Sequence, residues 1–121
     1  MSDLGNRNQL IIDIADALTV DVDDADSRNT LLNKIANGHY NASTSPSDGL
    51  TPILQAIDLD INGDSPNGLT RGQYLERIAT GEGATVESDD LSRNYLLSLW
   101  LNAIISDSND AFTYTFPFNL A

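Results

Sequence analysis

Apolar residues return along this chain at offsets of three, four and seven from evenly placed lead positions. Leu10, Ile11 and Ile14 follow Arg7; Leu31, Leu32 and Ile35 follow Arg28; Tyr74, Leu75 and Ile78 follow Arg71; Leu96, Leu97 and Trp100 follow Arg93. A fifth unit keeps the apolar positions, Ile53, Leu54 and Ile57, but is led by Leu50. The lead positions 7, 28, 50, 71 and 93 are therefore 21, 22, 21 and 22 residues apart. Offsets of three, four and seven form one face of an α-helix, so the pattern predicts five short helices, each burying the same stripe. Recurrence at a fixed period marks a repeat architecture whose units bury their faces against neighbours.

Local signals agree with that reading. Asn6, Ser27, Thr70 and Ser92 stand immediately before the arginines, where a side-chain oxygen can cap free N–H groups. Asn6 with Gln9 and Thr70 with Gln73 have capping-box spacing, and Thr51-Pro52 gives the third unit its own start. Gly38, Gly81 and Gly83 supply stop signals. Helices are expected over 7–18, 28–38, 51–59, 71–80 and 93–106, joined by polar turns such as 41–49 and 62–68. One helix and a loop per unit is too little for a two-helix solenoid repeat, and no strand-forming leucine-rich segment occurs, so the expected fold is an all-α compact bundle.

The end of the chain has another period. Phe112, Tyr114, Phe116, Phe118 and Leu120 alternate with Thr113, Thr115, Pro117 and Asn119, the pattern of a strand with one apolar face. No comparable run exists to pair with it, and a lone strand leaves its backbone groups unsatisfied. The expected organisation is a helical repeat domain over 1–110 and an extended strand or docking tail over 111–121 that binds another subunit.

Composition narrows the functional classes. A chain of 121 residues fits one helical domain, and the absence of cysteine removes disulfides and thiolate metal sites. No basic and apolar leader is expected at Met1 to Gly5, and no stretch approaches the ~18 apolar residues of a membrane span. Net charge is −12, with acids crowded between repeats at Asp21, Asp23, Asp24 and Asp26, at Asp58, Asp60 and Asp64, and at Glu87, Asp89 and Asp90. Such a surface repels a phosphate backbone, so direct nucleic-acid binding is not expected.

The segment Asp58-Leu59-Asp60-Ile61-Asn62-Gly63-Asp64 resembles the first half of an EF-hand or dockerin calcium loop, with oxygen donors at its first, third and fifth positions and the turn glycine at its sixth. The twelfth position is Leu69 where a bidentate acid should stand, so Asp58, Asp60, Asn62 and Asp64 offer at most a partial site and otherwise belong to a turn. The run from Asp21 to Asp26 reads as a solvated acidic loop, and His39 as a surface or C-cap residue. No phosphate loop, nucleophile elbow or metal-protease motif is present, and an enzyme is not expected.

The arginines Arg7, Arg28, Arg71 and Arg93 need a tertiary reason, because a cation in the first turn faces the positive end of the helix dipole. Two readings follow. Each guanidinium joins its unit to a neighbour through planar hydrogen bonds, or the set forms a row of contacts to phosphate or an acidic partner. The charge balance favours the joining role.

The unit Arg28-Asn29-Thr30-Leu31-Leu32-Asn33-Lys34-Ile35, near-matched around Arg7-Asn8 and Arg93-Asn94, resembles helical repeats in virion proteins of tailed bacteriophages. What the resemblance implies is a small head decoration, neck or tail component, made in the host cytoplasm and residing in the virion. Its partners would be other virion proteins or copies of itself, with no membrane. The alternative expectation is a calcium-dependent binding module built on the Asp58–Asp64 segment. Charge alone suggests a third class, an acidic mimic of nucleic acid.

Overall fold

A computed structural model describes residues 7–86 and 92–115, with side chains of the last helix described as far as Ser106. The five repeats become five α-helices: α1 (Arg7–Ala17), α2 (Arg28–Gly38), α3 (Leu50–Asn62), α4 (Arg71–Gly81) and α5 (Arg93–Thr115). A short 3-10 turn, Pro46–Asp48, lies between α2 and α3. Each helix packs on the one before and the one after it in the chain, and α5 packs back on α1. The helices thus close a ring of five around one core.

The repeated apolar stripe explains the closure. All fifteen residues at the three offsets are buried, and they meet in a single cluster with Ala15, Ala36, Ala79, Tyr40 and Ile104. Trp100 and Tyr74, the bulkiest, are fully enclosed. Because every helix offers the same narrow stripe, each must cover its neighbour's flank as well as the centre, and a ring satisfies both demands.

Capping fixes where the helices begin. Ser27 accepts from the Thr30 N–H, and Thr70 and Gln73 exchange reciprocal hydrogen bonds in a capping box. Asn6, the expected cap of α1, lies outside the described residues. Gly49, at φ 95°, turns the chain into α3, whose first residue is Leu50. The residue after α1 that takes the left-handed conformation is Thr19, at φ 62°, a β-branched residue in a region that favours glycine.

Three helices end later than the periodicity predicts. α3 continues to Asn62, beyond the expected 59, and stops where Gly63 adopts a left-handed C-cap at φ 80°. Gly81 ends α4 from inside the helix, and a Cβ there would stand 2.5 Å from Ile61 Cγ2 and 2.6 Å from Asn62 Oδ1. It is a point of close approach between α4 and α3 as well as a stop signal. α5 has helical backbone to Thr115. The strand expected over Phe112 to Leu120 falls where side chains, and from residue 116 the backbone too, lie outside the described residues.

Candidate functional site

Contacts between first turns, and the charges that Arg28 feels, gather the lead arginines of α1, α2, α4 and α5 at one end. The motif's first two residues form the joints there. Arg28 Nε donates to Asn8 Oδ1 at 2.8 Å, and Arg7 Nη1 makes a longer contact of 3.5 Å with Asn94 Oδ1. In both cases the arginine of one unit reaches the asparagine that follows the lead arginine of the preceding unit, counted around the ring with the fifth before the first. The Arg-Asn dipeptide is therefore a clasp divided between adjacent helices.

The same rule accounts for where clasps are missing. The residue that would accept from Arg93 is Gly72, which has no side chain, and the one that would accept from Arg71 is Thr51. Arg71 and Arg93 are exposed and make no side-chain hydrogen bond or ion pair among the described residues. Leu50 in the third unit packs against the core instead of supplying a cation, and Asn29, without an arginine to receive, donates to the Pro46 carbonyl at 3.2 Å.

All four guanidinium groups share one neighbourhood. The pKa of Arg28 is lowered, first by burial and then by the positive charges of Arg7, Arg93 and Arg71. Arg7 Nε is buried with no hydrogen-bond partner. The N-termini of the helices add their own positive partial charges at this end. Among the described residues of a protein of net charge −12, four of the six basic side chains thus gather at one end.

The acids read as calcium ligands do different work. Asp58 lies inside α3, where it is fully buried. Its Oδ2 accepts from Arg77 Nε at 2.7 Å and from Ser65 Oγ at 2.6 Å, and its Oδ1 accepts from Asn62 Nδ2 at 2.6 Å. Arg77 also reaches Asp64 Oδ1 at 2.7 Å, while Asp60 is exposed on the helix. Helical backbone through Asn62 leaves Asp60 exposed on another face, while Asp58 and Asp64 meet on the Arg77 guanidinium, a cation standing where a calcium loop would gather its ligands about the ion. Among the described residues, no group of three or more His, Cys, Asp or Glu stands close enough to hold a metal ion.

Sequence reasoning missed the Asp58–Arg77 pair, although a signal existed. The position eight residues after the lead is Ala15, Ala36 and Ala79 in three other units, and only the third unit puts an acid there. Burial between α3 and α4 requires a countercharge, and Arg77 is the one arginine outside the lead column. The pairing raises the Arg77 pKa, mainly through its hydrogen bond with Asp58.

The opposite end of the ring is closed by a polar contact across its width. Buried Tyr40, just after α2, donates to a Glu82 carboxylate oxygen just after α4 and accepts from Trp100 Nε1 at 3.2 Å. Burial, then the Glu82 carboxylate, pushes the phenol's pKa upward. His39 is exposed at the C-cap of α2, with its ring edge-on to Tyr40 at 4.7 Å between centroids. In the acidic loop, Asp26 pairs with Lys34 at 2.6 Å and accepts from the Asp23 N–H, which lowers the Asp26 pKa. The docking residues Phe112, Tyr114, Phe116, Phe118 and Leu120 belong to the segment beyond the described side chains.

No helix among the described residues is long and apolar enough to cross a membrane. No known protein family matches the chain, and no curated protein or solved structure is significantly similar to it.

Proposed function

We propose that the chain is a non-enzymatic structural or assembly protein of a phage particle, a head decoration, neck or tail component working through contacts with other virion proteins or with copies of itself. The observation that carries the reading is the divided Arg-Asn clasp. The motif that resembles phage virion repeats is the motif that joins helices here, so the resemblance rests on residues with a structural task. Repetition around a ring also presents one chemistry several times at one end. That arrangement suits docking, whereas catalysis requires unlike groups converging on a reacting atom. The C-terminal residues Phe112, Tyr114, Phe116, Phe118 and Leu120 are the proposed anchor, adding a strand to a partner's sheet edge.

The deciding experiment is mass spectrometry of gradient-purified phage particles, followed by localisation of the chain in reconstructed particle images. Stoichiometric presence supports the assignment. Recovery of the chain only in the soluble fraction of infected cells overturns it. Deletion of residues 111–121 should leave the helical dichroism nearly intact while abolishing incorporation or self-association, and collapse of the dichroism would place the tail in the core instead.

A further inference from the structure

We infer that the arginine end of the ring is a binding site for a compact multivalent oxyanion of the phosphate class, held by Arg71 and Arg93 with Arg7 and Arg28 beside them. Four guanidinium groups share this end although each sits in a first helical turn, where local electrostatics disfavours a cation. Two are engaged in clasps to Asn8 and Asn94, which leaves their remaining N–H groups available. The other two are exposed and pair with no carboxylate among the described residues. Like charges held together raise the energy of the empty site, and an anion bound among them removes that repulsion. Arg7 Nε, behind the contact to Asn94, is buried with no hydrogen-bond partner of its own.

The geometry selects the class of anion. Guanidinium groups arriving from helices around a ring approach a central ligand from several sides. A planar carboxylate offers two oxygens in one plane and satisfies one or two forks, whereas a tetrahedral phosphate directs acceptors to every side. A long polyanion fits poorly, because the acidic loop Asp21–Asp26 leads into α2 only two residues before Arg28. A small phosphate compound, such as pyrophosphate or a nucleotide's phosphate chain, avoids that loop. The clasp rule explains why the site could persist within a structural repeat: the two arginines lacking an asparagine partner are the two free to receive a ligand.

Titration calorimetry of the full-length chain with sodium pyrophosphate, at fixed ionic strength and without divalent metal, tests the inference. One site per chain is expected, together with a higher melting temperature than in matched sodium chloride. Arg71→Gln and Arg93→Gln, at exposed positions without a side-chain hydrogen bond or ion pair among the described residues, should keep the helical dichroism and each weaken binding by about tenfold or more. Lys34→Gln, which removes a cation elsewhere, should leave affinity unchanged. Citrate should bind more weakly than pyrophosphate, and a nucleoside triphosphate at least as well. Absence of binding, undiminished binding in both arginine variants, or an equal loss in Lys34→Gln would overturn the site; citrate matching pyrophosphate would overturn the phosphate assignment. Calorimetry on the isolated chain is independent of particle composition, so this inference and the virion assignment fail separately.

Discussion

The joint between α1 and α2 and the joint between α3 and α4 each link successive units of one repeat, yet opposite devices hold them. At the first, a neutral acceptor and a cation meet at the helix starts, Asn8 with Arg28, and small residues Ala15 and Ala36 occupy the position eight after each lead. At the second, Thr51 stands where the asparagine would be, Arg71 makes no clasp, and the joint is held further down the helices by a buried ion pair, Asp58 with Arg77. Backbone approach differs as well. A Cβ at Gly38 would sit 3.4 Å from Val20 Cγ1, an ordinary contact, whereas one at Gly81 would collide with Ile61 and Asn62. A repeat dictates where neighbouring units must touch, and leaves the chemistry of the touch to individual substitutions.

The largest expected effect breaks the charged joint. Arg77→Ala would leave Asp58 buried with only Ser65 and Asn62 as donors, and an uncompensated buried charge is among the costliest single defects. Asp58→Ala restores the alanine of the other units and removes the charge, so it should cost less, about 1–3 kcal/mol for the lost hydrogen bonds. Chemical denaturation of both variants and of the double mutant gives the coupling. Equal single costs would mean that the pair contributes no more than packing.

Next come the glycines. Gly81→Ala should destabilise by about 1–3 kcal/mol through overpacking at the α3–α4 joint. Gly38→Ala, at the equivalent position of α2, should be neutral or stabilising by up to about 1 kcal/mol, as alanine is the better helix former. Similar thermal midpoints for the two variants would erase the distinction between the joints.

Tyr40 supplies a reference independent of either joint, since it links the ends of α2 and α4 to α5. Tyr40→Phe should cost about 1–2 kcal/mol near neutral pH through loss of the Glu82 and Trp100 contacts. The phenol's folded pKa lies above its ordinary value of 10.0, so the folded state retains a proton that the unfolded state releases. The Tyr40 contribution is therefore complete below pH 10.0 and declines as pH rises above it. Denaturation midpoints measured across that range should fall more steeply for the wild type than for Tyr40→Phe.

The smallest effects sharpen the clasp rule. Asn8→Ala should cost about 1 kcal/mol by stranding Arg28 among other cations. Gly72→Asn offers Arg93 the acceptor its joint lacks and replaces a helical glycine, for a gain of a few tenths to about 1 kcal/mol. No gain in melting temperature would show that the clasp depends on more than the paired residue types.

Helix placement was legible because its causes are local. Periodicity set the buried stripes, and Ser27 and Thr70 with Gln73 capped the starts within three residues of themselves. α3 misled for a nonlocal reason. Asp58, Asp60, Asn62 and Gly63 have turn chemistry, and only a partner 19 residues away, Arg77, makes a buried aspartate compatible with continued helix. The convergence of the arginines was equally hidden, since the expectation of a compact bundle does not say which helix ends come together or that the fifth unit meets the first. Had the first two motif positions been read as halves of one clasp, Asn8 and Asn94 would have pointed to closure.

Contact between α1 and α5 also governs how the protein comes into being. In an open stack each new repeat meets a finished neighbour, so structure can accumulate as the chain is synthesised. Here the apolar flanks of both α1 and α4 stay uncovered until Leu96, Leu97 and Trp100 are available to seal them. Completion awaits a contact between distant parts of the sequence, the kind that slows folding. A nascent chain of four repeats is an unfinished circle with two adhesive edges, which makes the interval before the fifth helix arrives the protein's period of greatest exposure to misassembly.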